Sequence, residues 1–121
     1  MKRTKLPLQL TVSLLDHLGA CRDRQEQFCR IFPGGTFITL AACLLAQMRG
    51  LPLGWLVRRL ASTEAAARFG HRYELLCVKH HNRFKGTTVP PGRRREVWDT
   101  AVAELAYEAF YPPQKKPRLR A

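Results

Sequence analysis

Thr36-Phe37-Ile38-Thr39-Leu40-Ala41-Ala42-Cys43-Leu44-Leu45-Ala46-Gln47-Met48-Arg49, broken at once by Gly50-Leu51-Pro52, is the stretch that decides the fold. It predicts a helix over 36–49, capped by Thr36 and apolar almost all round through Ile38, Leu40, Ala41, Leu44 and Leu45. A helix with so little polar face belongs at the centre of a bundle. Its apolar part is too short to span a bilayer, and Thr39 and Gln47 interrupt it. Phe32-Pro33-Gly34-Gly35 sets a turn in front of it, because proline fixes φ and glycine permits positive φ.

Working outward, Leu10, Val12, Leu14, Leu15 and Leu18 predict a short helix stopped by Gly19. Arg22 to Ile31 predicts a second, with Phe28, Cys29 and Ile31 inward. Downstream, Trp55, Leu56 and Leu60 define an amphipathic helix with Arg58 and Arg59 outside. Ser62 or Thr63 caps a segment from Glu64 to Phe69, Gly70 interrupts it, and Tyr73, Leu76, Cys77 and His80 resume at helical spacing. A last helix from Glu96 to about Tyr111 pairs Trp98 with Val102, Leu105 and Ala109, and Pro112-Pro113 ends it. No strand pattern stands out. The expected fold is all-α, about five helices in one domain over 8–111. A basic arm (1–7) precedes it, a basic Pro/Gly loop (85–95) interrupts it, and a disordered basic tail (112–121) follows.

Charge is the feature with functional content. The chain carries 21 Lys and Arg against 9 Asp and Glu, a formal net charge of +12 over 121 residues. The excess clusters at Lys2, Arg3 and Lys5, at Arg83, Lys85, Arg93, Arg94 and Arg95, and at Lys115, Lys116, Arg118 and Arg120. Such clusters draw in polyanions, most often nucleic acid, and the bland alternative is a solvated face with a solubilising tail. Tyr107, Phe110 and Tyr111 are candidates for stacking on bases, with core packing the simpler reading for Phe110. An apolar fraction of 45% separates this composition from a disordered polycation. No secretory signal is evident, so a cytoplasmic protein is expected, with its four cysteines (Cys21, Cys29, Cys43, Cys77) as reduced core fillers.

Other motifs compete with that reading. Thr36–Arg49, the Gly50-Leu51-Pro52 turn and Leu53–Ala61 have the outline of a helix-turn-helix, with Arg58 and Arg59 facing outward. Leu53, Gly54 and Trp55 at the start of the second helix suit core better than base edges. Cys77, His80 and His81 share a helix face and are zinc-compatible side chains. Leu75-Leu76-Cys77 … His80-His81-Asn82 resembles the closing half of an HNH nuclease motif, which implies a metal-activated water acting on phosphate. No Cys-x-x-Cys half lies upstream, and Arg72 stands where that family has Asn. No phosphate loop, nucleophile elbow or carboxylate pair is present. Neither an enzyme nor a cofactor is expected.

Leu18-Gly19-Ala20-Cys21 … Gln25 … Phe28 … Phe32-Pro33-Gly34-Gly35 … Trp55-Leu56 … Leu60 is similar to small proteins of bacteriophages and prophages, over roughly residues 10–60. The resemblance implies a binder that redirects or blocks host machinery, anti-CRISPR inhibitors among the examples. The expectation is a non-enzymatic basic accessory protein that binds nucleic acid or a nucleic-acid-handling complex, without a membrane. An HNH-like nuclease and an oligomerising helical module stand as alternatives.

Overall fold

Two helices of this chain end the same way, and the ends show how its glycines work. In the computed structural model, which describes residues 9–112, α1 (Val12–His17) and α3 (Leu40–Met48) both stop in a Schellman turn. Gly19 and Gly50 take positive φ, +94° and +83°, where a side chain would be strained. The amides of Ala20 and Leu51 then donate to the carbonyls of Leu15 and Ala46, at 3.0 and 2.9 Å. Leu51 is delivered into the core by this turn.

The element order is β1 (Gln9–Leu10), α1, α2 (Arg22–Ile31), β2 (Thr36–Phe37), α3, α4 (Leu53–Leu60), α5 (Thr63–Phe84) and α6 (Pro91–Phe110). The fold is helical as expected, with six helices among the described residues and one two-residue antiparallel ladder. In that ladder Gln9 pairs with Phe37 and Leu10 with Thr36. Among the described residues no helix is long and apolar enough to cross a membrane. The arm residues Lys2, Arg3 and Lys5 and the tail residues Lys115, Lys116, Arg118 and Arg120 lie outside the described residues.

The core forms where α3 and α4 pack on the C-terminal half of α6, with α1, α2 and the ladder closing one end. Small residues permit the close α3–α6 approach: Ala46, Ala103 and Ala106 are all buried. Phe28 from α2 and Val57 from α4 are the largest fully enclosed side chains. Leu53 is buried and Trp55 packs against the core, so the start of α4 is core and not a base-reading edge.

Five expectations need correction. Thr36 does not cap α3; Thr39 does, accepting from the Ala42 amide at 3.0 Å, because residues 36 and 37 are drawn into the ladder. Leu10 likewise sits in a strand, not in α1. Helix α3 is not buried all round: it leans mainly on α6 and leaves Leu40 and Met48 exposed. Gly70 does not interrupt α5, which runs unbroken for 22 residues from its Ser62 cap. The missing side chain costs only about 1 kcal/mol in a helix interior, and α5 continues packed along α6. Of the four cysteines only Cys43 is buried; Cys29 is one helical step from Phe28 and faces solvent with Cys21 and Cys77.

Candidate functional site

Pro91 explains why the basic loop is shorter than its composition suggests. Proline at the first helical position lacks only an N–H that would have no partner there. Helix α6 therefore begins at Pro91, and Arg93, Arg94 and Arg95 occupy its first turns. The connection from α5 shrinks to residues 85–90, and the expected loop over 85–95 is corrected accordingly.

That helix start is electrostatically unusual. The N-terminus of a helix carries the positive end of its dipole and favours acidic residues. Here the first turn holds no acid, the cap residue Pro90 offers no side-chain hydrogen bond, and three consecutive arginines follow. Opposite it, α5 ends with His81 and Arg83 in its last turn, where cations are favourable and the charge has a structural partner in the carbonyl end. The two helix ends meet across the short connection, and Lys85, Arg94 and Arg95 come to one place there.

Between them lies an open groove of ≈ 880 Å³, lined by His80, His81, Phe84, Lys85, Arg94 and Trp98 among others. Its aromatic wall is one end of a run of rings that starts in the core. Phe69 stacks on Tyr73 at 5.9 Å, Tyr73 meets Trp98 edge-on at 5.6 Å, and Trp98 meets His80 at 5.1 Å. His80 then packs on Phe84 at 4.9 Å, and the Arg83 guanidinium lies 5.2 Å from the Phe84 ring. Burial pushes the Tyr73 phenol above its ordinary value, and the neighbouring Cys77 adds to the rise.

Arg94 and Arg95 line the same groove with different partners. Arg94 Nε is cut off from solvent and has no hydrogen-bond acceptor, the one such side-chain nitrogen or oxygen found among the described residues. An unmade buried bond costs about 1–3 kcal/mol, so an anion that drew this guanidinium outward would recover a loss. Arg95 donates from Nε to both carboxylate oxygens of Asp99, at 3.2 and 3.1 Å. Gln47 Nε2 reaches the same carboxylate from α3 at 3.1 Å. Asp99 is the buried acid of the core, 4% exposed, and Arg95 is its counter-ion. The Arg95 side chain is still 63% exposed, so most of the guanidinium faces the groove and solvent.

Of the sequence-expected cluster the groove gathers Lys85, Arg94 and Arg95, with Arg95 carrying a structural duty that spacing does not show; Arg83 lies over the Phe84 ring and Arg93 is exposed in the first turn of α6, and neither lines the groove. The aromatics beside it are Phe84 and Trp98. Tyr107 and Tyr111 pack on each other at 5.0 Å, and Tyr111 Oη donates to the Ile38 carbonyl at 2.8 Å. Phe110 is buried. From Arg94, Tyr107 is ~20 Å further along α6 at 1.5 Å per residue. Those three therefore belong to the opposite end of the helix.

Cys77, His80 and His81 also line the groove, with Cys77 and His81 exposed and His80 half-buried. Among the described residues no three His, Cys, Asp or Glu side chains converge to hold a metal ion. His71, the other histidine of α5, is ~15 Å back along the helix from His81. Cys77 is thus no core filler: its thiol is outside, and His80 is the packed ring.

Comparison with known proteins returns no match: no family model, no curated protein and no solved structure resembles the chain.

Proposed function

We propose that this chain is a non-enzymatic binder of nucleic acid, or of a nucleoprotein assembly, acting through the junction of α5 and α6. The observation that carries the reading is the convergence of Lys85, Arg94 and the outer face of Arg95 on one groove, beside a helix start that holds no neutralising acid. Helix dipole and arginine charge reinforce each other there, and a phosphate backbone relieves both. A phage-type accessory protein that occupies a host nucleic-acid-handling complex, in the manner of an anti-CRISPR inhibitor, is one setting for such a surface. Its sign suits an acidic patch, a guide or a target strand, and not mimicry of DNA.

The test is fluorescence-anisotropy titration of DNA and RNA strands over a salt series. Tight binding that weakens linearly with log salt concentration is expected. Lys85→Ala with Arg94→Ala should flatten the slope by roughly 1.5, since each neutralised phosphate contributes about 0.7–0.9. Arg95 is left intact in this test because of its bond to Asp99. An unchanged slope overturns the assignment of the site, and negligible binding at low salt overturns the function.

A second reading, an oligomerising or adaptor module, is favoured by the outer face of α3. Leu40 and Met48 are exposed on that helix, Phe37 precedes them, and Phe37 and Met48 are about half exposed at 49% and 55%. Sedimentation velocity of the purified chain at several concentrations separates the two readings; a dimer lost on Met48→Lys supports the module.

A further inference from the structure

Phosphate contacts explain attraction to any polyanion, but they leave the aromatic wall of the groove unused. We propose that the groove takes an unpaired base, so that the chain selects single-stranded over duplex nucleic acid; this rests on the nucleic-acid reading above.

The argument starts from ring placement. Phe84, His80 and Trp98 are half-buried and line one groove together with Lys85, Arg94 and Arg95. Core aromatics need no cations beside them, and a purely electrostatic surface needs no rings. A single strand offers what meets both: a flexible row of phosphates and bases whose faces are free to stack. In duplex DNA the same faces are already covered by neighbouring base pairs, and only edges and phosphates remain exposed. The wall is also held in place from behind. Trp98 is set by Tyr73 and His80, and His80 by Phe84, so a base entering the groove meets rings whose orientation is already fixed. Preorganised rings lose little freedom on binding, which is why stacking on them yields net affinity. An acidic peptide would match the charge and leave the rings without a flat partner.

The test compares three strands of equal phosphate number at the same low salt: oligothymidylate, the same strand with its bases removed at every position, and a hairpin duplex. Binding of oligothymidylate about five- to a hundredfold tighter than the abasic strand is expected, the factor that one stacked base supplies. Phe84→Leu should lower affinity for oligothymidylate and leave the abasic strand unchanged. In a Trp55→Phe background Trp98 is the remaining tryptophan, and its emission should fall on saturation with oligothymidylate but not with the abasic strand. Equal affinity for the abasic strand, or tighter binding of the duplex, overturns base stacking while leaving phosphate binding intact. A polyglutamate peptide that competes as well as oligothymidylate overturns it in favour of a protein partner. Failure of every strand to bind removes this inference and the nucleic-acid reading together.

Discussion

Replacing Arg95 with alanine should unsettle the core from the surface. The Asp99 carboxylate is buried and accepts from Arg95 Nε on both oxygens and from Gln47 Nε2 on Oδ1. After Arg95→Ala, Oδ2 has no donor among these partners and the negative charge has lost its counter-ion. A hydrogen bond to a charged group is worth about 1.5–3 kcal/mol, and breaking a fully buried ion pair costs about 3–5 kcal/mol. Because Arg95 is mostly exposed, water enters the space it leaves and offsets part of that loss. The expected cost is therefore about 1–2 kcal/mol, which lowers Tm by about 4–9 °C for a domain of this size. Urea unfolding at neutral pH, followed by far-UV circular dichroism, measures it. Adding Asp99→Asn should recover part of the loss, since a neutral amide needs no cation. The reasoning fails if Arg95→Ala stays within about 0.3 kcal/mol of the parent, or if the double variant is no more stable than the single one.

Three further outcomes are expected. Thr39→Ala should cost about 1 kcal/mol, and Thr36→Ala should spare α3, because Thr39 is the residue that caps it; equal costs in urea unfolding would reverse the cap assignment. Gly70→Ala should stabilise by about 0.5–1 kcal/mol, since the position is helical and an added Cβ meets nothing within 4 Å; a lower Tm would refute that. Burial pushes the Cys43 thiol from 9.0 up to about 12. A folded-state value above the unfolded one gives stability that is whole below pH 9 and lost as pH climbs toward 12, by about 4 kcal/mol at 1.4 kcal/mol per unit. Cys43→Ala should lose less stability across that window, and Cys21, Cys29 and Cys77 should react with a thiol reagent in the native protein well before Cys43 does.

Much of this architecture is legible in the residues themselves. Gly19 and Gly50 read as helix stops and are, Ser62 reads as a cap and is, and Leu56 with Arg58 and Arg59 sort to opposite faces of α4 as their spacing dictates. The misreadings share one physical origin, tertiary contact overriding local preference. Thr36 looks like a cap until Leu10, 26 residues earlier, pairs with it. Gly70 looks like a break until α6 supports the turns on either side. Pro91 and Gly92 look like loop until proline's suitability for a first helical turn is weighed. The basic half of the candidate site was visible as a charge run. Its aromatic half was not, because Phe84 and Trp98 sit 14 residues apart on two helices and only the hairpin fold brings them together.

The placement of burial along that hairpin has a further consequence. After Phe69, α5 contributes no buried residue, and α6 contributes none before Asp99. Beyond Leu76 and Trp98, which still pack against the core, residues 77–97 form an arm anchored at one end and solvated along its flanks. Regions with few enclosed contacts open below the global unfolding free energy. Amide hydrogens of the arm should exchange by sub-global opening, while those of α3 and the C-terminal half of α6 wait for the whole molecule to unfold. A thermal melt of the intact chain consequently reports on the core, and a ligand seated at the tip of the arm registers first as slowed exchange there.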